Sequence, residues 1–315
     1  MADRRRSSRN LGDRIFRRVT EAASLSIVAL ILAIALFLVA RAVPAFRAAG
    51  LAFFTERVWF PDAPKPQFGI AALVVGTLIS SALALVMAVP VALGSALFLT
   101  QIATPSVRRI VAPLMDLLAA VPSVVYGLWG VFFLVPKLVP VSKALDRVLG
   151  SIPVFDNRSG TYGRSLFAAG VVLAIMVLPI VSALAREIFV QVPEPNREAA
   201  LALGATRWEM IRLAVLPYSR GGIVGAVMLG LGRALGETIA VALVLASSFK
   251  VDLHILEPGG NSIAANIATK FGESGELGRN ALIASGLVLF AITLVVNVFA
   301  RGVVHRSALA AEGRP

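Results

Sequence analysis

The chain has 315 residues, of which 57% are hydrophobic and 15% charged, with a formal net charge of +12 and a mean hydropathy of +0.83. This balance excludes a soluble globular domain. Cys is absent and His is limited to His254 and His305, which excludes disulfides, thiol nucleophiles, Cys-ligated centres and a His-based metal cluster. The basic residues crowd at the N-terminus and between apolar runs, where the positive-inside rule places them, rather than along one solvated face. A lipid bilayer is therefore the expected surrounding, and nucleic acid is not.

Residues 1–21 form a basic arm carrying Arg4, Arg5, Arg6, Arg9, Arg14, Arg17 and Arg18. The apolar run behind it is too long for a signal-peptide core and lacks a clear small-residue cleavage site, so it is expected to stay as a first transmembrane helix. Six runs reach the roughly 20 residues that a spanning helix needs: about 22–43, 69–100, 110–136, 165–189, 221–249 and 280–300. Pro90, Pro113, Pro122 and Pro179 lie inside them and predict kinks. The fold class is thus an all-α polytopic membrane protein of six spans over residues 22–300, ending in a tail at 301–315. The dense N-terminal cluster beside the first span places both termini in the cytoplasm.

Three outer segments follow from that topology. Pro44 to Gln67 holds Phe53, Phe54, Trp59 and Phe60 among prolines, as an aromatic belt at the membrane surface would. The stretches 137–164 and 250–279 can touch a partner but are too short to build a core of their own. Thr77, Ser80 and Ser81 share a face of the second span and fit helix packing.

Between the fourth and fifth spans, residues 190–220 read as two short helices. Asn196 can cap the first, Gly204 can end it in the left-handed conformation, and Thr206 with Glu209 makes a capping box for the second. Pro217 is expected to close the unit before the fifth span. Trp208, Ile211 and Val215 fall at helical spacing on one face, which either rests on the membrane or bundle, or docks into a cytoplasmic partner.

The residues Glu198-Ala199-Ala200, then Gly204, then Leu216-Pro217 resemble the EAA loop of ABC-importer permeases, with Ala214 departing where that pattern usually carries Ile. The resemblance implies a type I ABC-importer permease fold and a coupling helix that fits a groove on an ATPase subunit, with Glu198, Ala199, Ala200, Gly204, Trp208, Ile211, Leu216 and Pro217 as its residues. Pro122-Ser123-Val124-Val125-Tyr126-Gly127 and Gly232-Arg233-Ala234-Leu235-Gly236-Glu237-Thr238-Ile239-Ala240-Val241 are similar to the phosphate-specific transport (Pst) branch. The second stretch fits the PstC type better than its partner PstA, where a Pro-containing continuation is expected after Gly-Glu-Thr. Implied partners are a second, PstA-like permease, a PstB-like ATPase dimer carrying ATP and Mg, and a PstS-like extracytoplasmic binding protein, at a bacterial inner membrane.

Arg233 falls about 12 residues into the expected fifth span, roughly 18 Å along a helix, and Glu237 follows one turn later. A charge at such depth costs about 2.5–3.5 kcal/mol on insertion scales, and Arg before Glu is the weaker order for a helical pair. The pair either fixes helix register or lines a transport path. In the Pst family an Arg and a Glu of this segment are functionally important, which carries over to Arg233 and Glu237.

None of the five Lys residues follows a Gly, so no phosphate-binding P-loop exists, and no Ser-His-Asp order suggests catalysis. The expectation is a non-enzymatic permease with no cofactor or metal of its own. Its alternatives are a permease for sulfate or molybdate, an ion-gradient transporter, an intramembrane enzyme, or a structural scaffold.

Overall fold

The computed structural model describes residues 3–251 and 253–312. The extremities of the expected arm and tail, residues 1–2 and 313–315, lie outside it, as do the side chains of residues 3–10 and 303–312. In chain order the helices are α1 (Asp3–Ala49), α2 (Ala52–Thr55), α3 (Ala71–Leu97), α4 (Pro105–Ala119), α5 (Ser123–Trp129), α6 (Val135–Leu149), α7 (Leu166–Val190), α8 (Glu194–Ala202), α9 (Arg207–Met210), α10 (Leu216–Leu235), α11 (Ile239–Val244), α12 (Ile263–Lys270) and α13 (Glu276–Glu312). Among the described residues, six helical stretches are long and apolar enough to cross a membrane: Leu11–Ala49, Ala71–Ile102, Ser123–Leu149, Leu166–Val190, Arg207–Leu235 and Glu276–Gly302.

Several boundaries differ from the sequence expectation. The basic arm and first span are one helix, because Arg is a good helix former and nothing between them breaks the ladder. The third span begins at Ser123 instead of near 110. Pro122 disfavours helical geometry in the residue before it, so the chain breaks after α4, which becomes a separate amphipathic helix with no buried residue. At Pro217 the helix does not end. A π-type turn at Ile211–Val215 carries α9 into α10, and that widened turn accommodates a residue with no N–H to give.

The most enclosed helix is α7, which packs along α3 and against α10 and supplies Val172, Leu173, Met176, Val177 and Val181 to the main core. A second core joins α1, α3 and α13 to a small antiparallel hairpin, β1 (Trp59–Phe60) and β2 (Gln67–Phe68), with Trp59 opposite Phe68. Phe53 and Trp59 are therefore core residues here, while Phe54 and Phe60 are exposed as a belt would have them. Asp62 of the hairpin loop accepts the Gly275 and Gly278 amides, both at 2.9 Å, and so caps α13 from a distant part of the chain. The apolar side chains of α1 from Leu25 to Phe37 are largely exposed, as lipid or a second subunit permits.

Helix ends are closed by arginines. A helix C-terminus leaves carbonyls without partners and carries partial negative charge, and a guanidinium offers five donors to such a cluster. Arg108 donates to the Leu99 and Thr100 carbonyls beyond α3, both at 2.8 Å, and Arg197 to Phe189 and Val192 at the end of α7. Arg164 donates to three successive carbonyls ending α11, those of Leu243 and Leu245 at 2.7 Å and Val244 at 3.3 Å.

Thr77 accepts the Ile263 amide at 3.0 Å and is buried with Ser80 and Ser81, so this face serves packing. Beside it, Gly76 lets Asn261 approach so closely that a Cβ would fall 2.0 Å from the Asn261 carbonyl oxygen. Gly76→Ala should thus cost about 1–3 kcal/mol by overpacking, seen as a lowered melting temperature in detergent, whereas Gly225→Ala, with open space at its Cβ, should leave the isolated chain unchanged. Arg164→Met should leave the end of α11 uncapped, and amide hydrogen exchange over 239–245 should accelerate by roughly tenfold or more, for about 1–3 kcal/mol of lost satisfaction.

Candidate functional site

The helix of the fifth span stops at Leu235, and Gly236–Thr238 separate it from the short α11. Arg233 thus sits in the last turn of α10, and Glu237 lies in the interruption, in place of two residues one turn apart on an unbroken span. The ion pair survives the break: the Arg233 guanidinium is 3.7 Å from Glu237 Oε2. The Glu237 side chain is only 4% exposed, and its Oε1 accepts the Ala240 amide at 3.2 Å, so the carboxylate also caps the start of α11. Arg233 is 44% exposed and opens onto a cavity of about 850 Å³ lined by α10, Ile180 of α7, and Asn297 and Arg301 of α13.

A second interruption adjoins the first. The Tyr126 hydroxyl reaches back across the break between α4 and α5 and donates to the Leu118 carbonyl at 2.8 Å. Gly127 on α5 lies so near α11 that a Cβ would come 2.9 Å from Ala240 Cα. The two stretches singled out in the sequence, 122–127 and 232–241, therefore meet at one place, and both contain a broken helix. Non-helical backbone at membrane depth is tolerated where protein buries it or water lines it, and such broken helices mark binding sites in transporters.

The loop at 190–220 folds as two helices, with changes at both caps. α8 starts after Pro193, whose side chain has no acceptor to cap it, and Pro195 falls in its first turn, so Asn196 is inside the helix rather than capping it. Gly204 takes φ +85°, and Thr206 with Glu209 forms the full capping box. Ile211 and Val215 are buried against Ala96, Ala185, Phe189 and Val192, but Trp208 is 63% exposed. The three are thus not buried together: Trp208, in the first turn beyond Thr206, projects past the bundle that covers Ile211 and Val215. Glu198 and Ala199 are exposed, Ala200 and Leu216 half-buried and Pro217 exposed, while Leu203 and Trp208 leave an apolar tip in solvent. About 25 residues of near-continuous helix, some 38 Å, join that tip to Arg233.

Sequence reasoning missed Asn297 and Arg301 at this cavity, and Arg164 at the far end of α11. Arg164 was one more loop cation, and only the carbonyls folded against it reveal its role. Asn297, polar inside an apolar run, was the available signal for α13.

A family model described as a binding-protein-dependent transport system inner membrane component matches residues 88–308. Phosphate transport system permease protein PstC 2 of Mycobacterium tuberculosis is 47% identical over 296 residues, covering 93% of this chain and 91% of that protein. The phosphate transport system permease protein PstC of Pasteurella multocida is 39% identical over 308 residues, covering 97% and 95%. Among solved structures, an inward-facing form of the MetNI methionine ABC transporter aligns at 20% identity with a TM-score of 0.48, covering 75% of this chain and 94% of that chain. With most of its length matched by the family model and nearly all of it by these relatives, the chain belongs to the binding-protein-dependent transport system inner membrane components, in the branch that holds the PstC permeases.

Proposed function

We propose that the chain is a permease subunit of an ATP-driven importer that carries inorganic phosphate across the bacterial cytoplasmic membrane, with both termini in the cytoplasm. One observation carries this reading: a guanidinium, anchored by a buried carboxylate at the break of a spanning helix, opens onto a cavity in a chain nearly half identical to phosphate transport permeases. A planar guanidinium can give two parallel hydrogen bonds to an oxyanion. Glu237 holds it in place and competes for its charge, which keeps anion binding weak enough for release.

The second half of the path would come from a PstA-like permease, and a PstS-like protein would deliver the anion. The apolar tip at Leu203 and Trp208, with Glu198, Ala199, Ala200 and Gly204 beneath it, would dock into a PstB-like ATPase dimer that holds ATP and Mg. This chain contributes no ATPase chemistry of its own. Closure of that dimer would displace α8 and α9. Because α9 runs through the π-type turn into α10, the displacement would reach Arg233 along one helix and switch the side to which it opens.

Labelled phosphate uptake in cells lacking other phosphate importers, with this chain and its transporter partners expressed, tests the cargo. Uptake should require ATP and persist in excess sulfate. Arg233→Gln removes a charge-assisted contact worth about 1.5–3 kcal/mol and should slow uptake roughly ten- to a hundredfold; an unaffected rate with Arg233→Gln, or competition by sulfate, would rule the reading out. Replacing Trp208 with Ala and Leu203 with Ser should strip an exposed anchor worth about 2 kcal/mol or more. Co-purified ATPase should then fall without any change in the melting temperature of the isolated chain.

A further inference from the structure

Arg301 and Asn297 line the same cavity as Arg233 but come from another helix. α10 begins at the coupling loop and α13 at the outer hairpin, where Asp62 caps it, so the two helices run in opposite directions. Arg301 lies about 25 residues along α13, some 38 Å from its outer end. It therefore belongs to the part of the cavity lined by Gly221, near the start of α10, whereas Arg233 lies about 12 residues, roughly 18 Å, deeper. The cavity thus has a cation near each end.

An arginine at the cytoplasmic end of a span commonly snorkels to lipid headgroups. Two features separate Arg301 from that role. Asn297, one turn deeper on the same face, also lines the cavity, while the neighbours Leu294, Val295, Val298 and Phe299 are exposed on the helix's other sides. A polar amide amid such side chains is costly in lipid, and a snorkelling arginine has no need of one. Further, among the described residues Glu237 balances Arg233, and no carboxylate lines the cavity beside Arg301.

We infer that Arg301, assisted by Asn297, is an exit station for the transported anion, receiving it from Arg233 and passing it to the cytoplasm. This rests on the phosphate-permease reading above. An anion held at a single deep cation must break every contact at once to leave, and a second cation within one cavity divides that departure into smaller steps, as multi-site pores do. The amide of Asn297 supplies a donor along the way. Arg301 thereby acts on release rather than on capture from the binding protein.

The test uses the complete transporter in proteoliposomes with labelled phosphate, assembly being followed by co-purification of the ATPase. Arg301→Gln should lower uptake by about tenfold, the low end of what loss of one charge-assisted contact along the exit costs, and Arg301→Lys should restore most of it. The chain has no Cys, so Arg301→Cys provides a single thiol for charge rescue should the Gln variant fail to assemble. A cationic thiosulfonate reagent reaching it from the cytoplasmic side should recover uptake, and an anionic one should not. Wild-type uptake by Arg301→Gln, or equal rescue by cationic and neutral reagents, would overturn the exit station while leaving phosphate transport intact. A fully assembled wild-type transporter that takes up no phosphate would overturn the functional reading, and the exit station with it.

Discussion

Hydrocarbon offers no hydrogen bonds, and a spanning helix that stops partway must find partners for every amide and carbonyl it releases, each costing several kcal/mol if left alone. The fifth span meets this demand with side chains. Glu237 takes the Ala240 amide at the start of α11, and Arg164 takes the three carbonyls at its far end. Tyr126 does the same for the end of α4 across the neighbouring break. A short helix such as α11 has no stability of its own, so its place depends on these contacts and on its close approach to Gly127.

The interruption decides what Arg233 can do. In an unbroken helix an Arg and a Glu one turn apart would satisfy mainly each other. Here the carboxylate is buried and committed to the backbone as well, and the guanidinium, 3.7 Å away, keeps much of its surface open to the cavity. In the proposed mechanism that difference separates an anion site from a structural ion pair. In that mechanism the same helix, followed back, becomes the coupling tip. Its π-type turn at Ile211–Val215 marks where the helix can yield, while burial of Ile211 and Val215 ties the tip to the bundle so that its movement is not lost in a loop.

Much of the architecture was legible in the sequence because lipid imposes a simple length and polarity rule. All six spans were found, the capping box at Thr206 and Glu209 was found, and Arg233 with Glu237 was marked by the cost of charge in an apolar run. What escaped was local geometry that hydropathy does not record. Pro122 predicts a kink in the apolar run 110–136, but not that α4 stands apart from the span, since a separate amphipathic helix and a span are both apolar. The turn that carries the chain past Pro217 depends on one extra residue in the ladder, which periodicity over so short a segment does not resolve. The roles of Arg108, Arg164 and Arg197 are not legible from residue type, because their carbonyl partners come close only after folding. Arg301 sat at the edge of its span as any boundary cation would, and its cavity forms between helices far apart in sequence.

The most direct test of the central idea, that Arg233 meets the transported anion at a broken helix, is cryo-electron microscopy of the assembled transporter turning over in phosphate. The account predicts an interruption at Gly236–Thr238 and, in at least one state, tetrahedral density about 3 Å from the Arg233 guanidinium, the distance of a charge-assisted hydrogen bond. A continuous fifth helix, or an Arg233 sealed against apolar side chains of the second permease in every state, would contradict it.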